Sequence, residues 1–315
     1  MLILFLWAII FIASVGLLVK SADMFTGAAE KLGKFFGMSS FITGVLIVSF
    51  GTSLPELATS ISSVLQGATE IVAANIFGSN IANGLLALGI AAIICKGIVR
   101  PKWNIFYGDF PILVAGTIFC LFSIQDGIIN RYESILFLAG LALYFFYLKE
   151  IHLKNNKKKE RKIKKKKFDY RNLILLALSL VGILAAAKYC VASVINIALF
   201  TGLGASVLAA ALIAIGTSLP EISVAISAAK KKNWDLLVGD VIGSNVFNIF
   251  AIFGISGIIA PLIIAPEIML VVVPFLVASL VLTWVVLADK KITTSEGILM
   301  VMFYVFFIGK LFGMF

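Results

Sequence analysis

The sequence predicts an all-α polytopic membrane protein, with ten transmembrane helices arranged as two inverted five-helix repeats. Three observations lead there. Apolar residues fall in runs of about 20, the length of helix that crosses a bilayer. A stretch of the first half recurs 165 positions later. Basic residues concentrate in alternate connections, the pattern of loops held on one side of a membrane.

The chain is 61% hydrophobic and only 13% charged, too few polar residues to cover a soluble domain of 315 residues. No short segments alternate with period two, which argues against a membrane β-barrel. Ten apolar segments are expected near 2–19, 39–65, 70–96, 105–124, 131–149, 171–199, 204–229, 235–260, 266–288 and 293–313. The first lacks a leading basic region and a small-residue cleavage site, so it reads as a helix and not a signal peptide.

Of the 26 Lys and Arg residues, 22 lie in alternate loops. These loops should be cytoplasmic, which puts both termini outside. The linker 151–170 carries most of the charge, in "KNNKKKERKIKKKKFDYR" (Lys154–Arg171). It reads as a topology anchor against membrane lipid, without the aromatic interleaving that nucleic-acid binding uses. No protein partner is inferable. Cys95, Cys120 and Cys190 are scattered in apolar segments and read as packing residues.

Ser49–Asn83 reads "SFGTSLPELATSISSVLQGATEIVAANIFGSNIAN"; Ala214–Asn248 reads "AIGTSLPEISVAISAAKKKNWDLLVGDVIGSNVFN". The six-residue identity makes duplication the explanation. The repeats occupy 1–150 and 171–315, with motifs at 44–83 and 209–248. Five segments each is an odd number, so the second copy enters from the opposite side. The hairpin tips agree, since Gln66–Glu70 has no basic residue and Lys230–Asp235 has three. Inverted repeats of this kind form transporters with midplane sites.

Glu56 and Glu221 fall mid-segment, where a carboxylate costs at least about 2.5 kcal/mol unless it lines a polar cavity. Pro55 and Pro220 should break each helix and free carbonyls near Ser49–Thr52 and Ala214–Thr217. Thr52, Ser53, Thr217 and Ser218 add hydroxyls one turn from each Glu. In the next segment Asn75, Ser79 and Asn83 share one face, as do Asp240, Ser244 and Asn248. This donor set is all oxygen, without thiolate or imidazole, and suits Ca²⁺ and Na⁺. Competing cations at one charged site are what antiport requires. An enzyme is not expected, because no nucleophile–base pair is apparent. No cofactor is expected beyond the transported ions, and a passive channel remains a rival.

The doubled GTSLPE with GSN-x-x-N resembles the Ca²⁺/cation antiporter superfamily, and within it the prokaryotic Na⁺/Ca²⁺ exchangers. The resemblance implies Ca²⁺ export driven by Na⁺ entry, with helices 1 and 6 sliding over a rigid bundle in a prokaryotic cell membrane. It implies Glu56 and Glu221 shared by both ions, and backbone oxygens of Thr52 and Thr217 for Ca²⁺. Ser53, Ser79, Ser218 and Ser244, with carbonyls of Ser49 and Ala214, would hold flanking Na⁺, and Asn83 and Asn248 would line the middle. H⁺/Ca²⁺ or K⁺-dependent exchange is the alternative. Three positions depart from the family: Asn248 where some relatives carry Asp, Asp240 where Asn is common, and Lys188 opposite Asp23. Asp23 and Lys188 are expected near the ends of the sliding helices. Asp240 reads either as an acid at a pore mouth or as a helix-start acid near Lys230–Lys232.

Overall fold

The computed structural model describes residues 2–35, 49–95, 108–156, 170–232, 234–288 and 291–314. Its first half holds α1 (Leu2–Phe35), α2 (Ser49–Thr52), α3 (Leu54–Leu65), α4 (Glu70–Ile94), α5 (Asp109–Ser123) and α6 (Arg131–Asn156). The second holds α7 (Tyr170–Thr201), α8 (Ala205–Thr217) and α9 (Leu219–Lys230). Next comes α10, in which Trp234–Phe247, Asn248–Ile252 and Phe253–Ile259 follow without interruption. The chain closes with α11 (Ile268–Ala288) and α12 (Thr294–Leu311). The expected segments 39–65 and 105–124 begin outside the described residues, as does the start of the 44–83 motif. Residues 157–169 of the 151–170 linker also lie outside them.

Among the described residues, seven helices are long and apolar enough to cross a membrane, or eight if α8 and α9, bent by 41°, form one broken span. Burial sorts them into layers. The apolar windows of α4 and α10 are 83% and 89% buried, whereas that of α1 is 17% buried. So α4 and α10 form the centre and α1 lies at the periphery. Most core side chains belong to one cluster that includes Phe77, Phe137, Phe253 and Phe307. A second cluster stands apart: Leu18 of α1, Ala58 of α3, and Ile183, Ala186 and Ala187 of α7. Cys120 and Cys190 are buried, Cys95 is half-buried, and all three are free thiols in packed surroundings.

One element was not anticipated. Ile128–Ile129 (β1) pairs antiparallel with Leu262–Ile263 (β2), in register Ile128↔Ile263 and Ile129↔Leu262. The Ile264 N–H donates to the Gly127 carbonyl at 2.8 Å, and the Ile263 N–H to Thr69 Oγ1 at 3.4 Å. Three connections therefore meet at one end of the bundle. Two-residue strands are too short to show a period of two in sequence.

Helix crossings at the centre depend on missing side chains. At the α4–α12 crossing, a Cβ on Gly89 would lie 2.8 Å from the Gly297 carbonyl oxygen, and one on Gly297 would lie 2.7 Å from the Gly89 carbonyl oxygen. Backbone cannot retreat as a flexible side chain can. Gly89→Val and Gly297→Val are each expected to destabilise the protein by about 1–3 kcal/mol, the usual range for overpacking. A clear fall in melting temperature in detergent, against no change for the exposed Leu299→Ala, is the expected result. An unaltered melt for both glycine variants would refute the close crossing.

Candidate ion-binding site

Each repeat breaks its helix one residue after the threonine of the doubled motif. Ser53 separates α2 from α3 and Ser218 separates α8 from α9, with backbone angles of −87°, 5° and −79°, 1°. Pro55 and Pro220 stand in the first turn of the helix that follows, where a missing N–H costs least. The carbonyls expected to be freed near Ser49–Thr52 and Ala214–Thr217 do not include those of Ser49 and Ala214. Ser49 O accepts the Ser53 N–H at 3.2 Å and Ala214 O accepts the Ser218 N–H at 3.1 Å. Each also accepts the following threonine hydroxyl, Thr52 at 3.2 Å and Thr217 at 3.4 Å. The proline withdraws its N–H from the carbonyl four residues earlier, which is Gly51 or Gly216. Ser49 and Ala214 stand outside that register.

Both carboxylates are fully buried, and each is bonded from the opposite repeat. Ser53 Oγ donates to Glu221 Oε1 at 3.0 Å, and Ser218 Oγ donates to Glu56 Oε1 at 3.3 Å. The serine one turn before a glutamate therefore serves the other glutamate, not its own. The same exchange joins the threonines to the next helix. Thr52 Oγ1 lies 3.5 Å from Ser244 Oγ, and Thr217 Oγ1 lies 3.4 Å from Ser79 Oγ. These contacts obey the 165-residue shift as two symmetric pairs.

Amides close the centre. Asn83 Nδ2 donates to Asn245 Oδ1 at 3.1 Å, and Asn248 Nδ2 donates to Asn80 Oδ1 at 3.0 Å. Asn80 and Asn245 each donate to the other's backbone carbonyl at 3.3 Å. The sequence reading passed over Asn80 and Asn245, although both belong to the repeated Gly-Ser-Asn. Their helical spacing put them off the Asn75–Ser79–Asn83 face. π-helical turns start at Ala82 and Asn248, just beyond the two Gly-Ser-Asn stretches, and such turns are frequent at functional sites.

Four oxygens are left over. Glu56 Oε2, Glu221 Oε2, Asn83 Oδ1 and Asn248 Oδ1 are buried and have no hydrogen-bond partner among the described residues. A buried acceptor without a partner forfeits about 1–3 kcal/mol, more when charged. A hard cation supplies what these atoms lack. The donors are carboxylate, amide and hydroxyl oxygens, so the residues present fit Na⁺ or Ca²⁺.

Two outlying expectations are revised. Asp23 and Lys188 are exposed on α1 and α7, well inside those helices and not at their ends. The Lys188 carbonyl accepts a bond from Gln66 Nε2 at 3.3 Å. Asp240 is neither at a mouth nor a helix-start acid. It is 2% exposed, beyond the first turn of α10, while Lys230, Lys231 and Lys232 are exposed.

The sodium/calcium exchanger protein family profile matches the chain twice, over residues 6–149 and 171–312. The chain is 31% identical to the sodium/calcium exchanger MaX1 of Methanosarcina acetivorans, with 94% of this chain and 95% of that protein covered. It is 31% identical to the uncharacterized membrane protein MJ0091 of Methanocaldococcus jannaschii, with 96% of each covered. Among solved structures, the sodium-calcium exchanger NCX_Mj soaked with Na⁺ and Sr²⁺ superposes with a TM-score of 0.65 at 28% identity, covering 98% and 99% of the two chains. Two profile matches, one on each copy of the repeat, and relatives aligned over nearly the full length establish that the chain belongs to the sodium/calcium exchanger family.

Proposed function

We propose that the protein exports Ca²⁺ in exchange for Na⁺ by alternating access, at three Na⁺ per Ca²⁺. The observation that carries the reading is the symmetric carboxylate pair. Glu56 and Glu221 are each held by a serine of the other repeat, with one oxygen free. Two negative charges balance one Ca²⁺, or take several Na⁺ beside the neutral oxygens. Thr52, Thr217, Ser53, Ser218, Ser79, Ser244, Asn83 and Asn248 complete the ligand set. The name of MaX1 and the ions soaked into NCX_Mj support Na⁺ and Ca²⁺ as cargo.

In this reading the chain spans the membrane ten times. The broken pairs α2–α3 and α8–α9 each count as one span, and α5 as another. Both termini face outward, the 151–170 linker is cytoplasmic, and the membrane is that of a prokaryotic cell. Meeting of the Thr69, Ile128 and Ile263 connections at one end supports that topology, which assigns all three to the outer side.

The stoichiometry follows from gradients. Moving Ca²⁺ up a 10⁴-fold gradient against 100 mV takes about 10 kcal/mol. Two Na⁺ entering down a tenfold gradient and the same 100 mV release about 7 kcal/mol and three release about 11. Three Na⁺ for one Ca²⁺ moves one net charge. In liposomes, ⁴⁵Ca²⁺ movement should follow an imposed Na⁺ gradient and respond to a valinomycin-clamped potential. Movement driven by a pH gradient and indifferent to Na⁺ would replace this reading with H⁺/Ca²⁺ exchange. An absolute requirement for K⁺ would replace it with the K⁺-dependent form.

Glu56→Gln and Glu221→Gln keep side-chain volume but halve the formal charge facing the ion. Each is expected to weaken equilibrium ⁴⁵Ca²⁺ binding by about 100-fold or more while the protein still melts cooperatively. Ser53→Ala and Ser218→Ala should each cost about tenfold, the scale of a hydrogen bond to a charged group. Near wild-type Ca²⁺ binding by either glutamine variant would remove that glutamate from the ligand set.

A further inference from the structure

Asn75 and Asp240 are equivalent under the 165-residue shift, yet their surroundings differ in a concerted way. Asn75 Nδ2 donates to Glu56 O, Thr59 Oγ1 and Ser60 Oγ at 3.2, 3.0 and 3.1 Å, and Thr217 Oγ1 donates to its Oδ1 at 3.4 Å. The amide is fully used as a structural bridge. In the second repeat Thr59 and Ser60 become Val224 and Ala225. An amide at 240 would find neither hydroxyl there. The residue at 240 is instead an acid, and both its carboxylate oxygens are buried without a hydrogen-bond partner among the described residues.

The opposite wall changes in the complementary sense. Ala214, the counterpart of Ser49, presents a methyl group beneath Gly78, and a Cβ there would lie 2.6 Å from Ala214 Cβ. Ser49 instead presents a hydroxyl beneath Gly243, 2.9 Å from the corresponding point. That hydroxyl is buried. Ser49 and Thr52 both face Asp240. A buried carboxylate faced by two hydroxyls thus stands where the first repeat has a satisfied amide. Tyr144, nearby, is committed elsewhere, since its hydroxyl donates to Asp109 Oδ1 at 3.3 Å. Ser49, Tyr144, Leu148 and Phe247 line a narrow cleft toward the end of α6 from which the 151–170 linker departs.

We propose that Asp240, with the hydroxyls of Ser49 and Thr52, forms a subsite for a monovalent cation, Na⁺, which one repeat has and the other lacks. It rests on the Na⁺-coupled reading above. One carboxylate among neutral oxygens balances a single positive charge, whereas Ca²⁺ already has Glu56 and Glu221. The two flanks of the central site are then inequivalent, with the charged flank on the side of the linker.

Equilibrium ²²Na⁺ binding to the purified full-length protein in detergent reads the subsite without requiring transport, so its failure is distinguishable from a failure of exchange. Asp240→Asn should raise the Na⁺ concentration for half-saturation by about tenfold, the effect of removing a full charge from a buried cation's ligands. The concentration for half-saturation by ⁴⁵Ca²⁺ should move far less, so that selectivity shifts toward Ca²⁺. Ser49→Ala should shift it the same way by a smaller factor. Removing one hydroxyl leaves all three buried acids in place, so this variant keeps the test open if Asp240→Asn does not fold. Na⁺ binding unchanged in both variants would overturn the proposal, as would equal weakening of Na⁺ and Ca²⁺.

Discussion

The structure depends on keeping two carboxylates in a dry centre where neither repeat alone can satisfy them. The cost of a charge at that depth is several kcal/mol unless polar groups surround it. Each half of the molecule therefore offers its serine to the other half's glutamate, at 3.0 and 3.3 Å. Docking of the repeats and assembly of the ion cage are one event. The other local features serve that event. The helix breaks at Ser53 and Ser218 turn the serines across the axis. The glycines at 78 and 243 let α4 and α10 come within reach of the opposite broken helices.

The periphery is built differently. The cluster of Leu18, Ala58, Ile183, Ala186 and Ala187 shares no side chain with the main core. It joins α1 and α7 to each other and to α3, while Gly182 allows Ser21 close approach between the first two. Interlocked side chains resist relative movement because native packing has discrete fits. The pair is not detached from the centre, since Cys190, Val191, Val194 and Ile197 of α7 belong to the main core and Leu4, Trp7, Phe11 and Val15 of α1 pack against it.

Much of this was legible in sequence because duplication wrote it twice. Glu56 and Glu221, the hydroxyls around them and the Asn83–Asn248 pair all came from comparing the chain with itself. Partner choice was not legible. Ser53 lies three residues from Glu56, but it bonds Glu221, 168 residues away. Helical spacing describes one helix at a time and is blind to the crossing. It likewise set aside Asn80 and Asn245, which the helix of the other repeat brings into play. Asp240 was read as a pore-mouth or helix-start acid from its place along one helix, whereas it is buried with Ser49 and Thr52 of the other repeat against it. The β1–β2 pair was invisible for a plainer reason, since two residues cannot show a pattern.

The amide quartet has a consequence for ancestry. Asn80 and Asn245 exchange identical bonds, and so do Asn83 and Asn248, because each pair is one residue seen twice. A single repeat, inserted in both orientations and meeting a copy of itself head to tail, could form the same four bonds, the same serine–carboxylate exchange and the same pair of facing acids. The cage needs no residue that only one half possesses. Fusion of two such copies would then have been the step that released each half from identity. The Asn75–Asp240 difference is the kind of divergence that a homodimer cannot have and a tandem chain can.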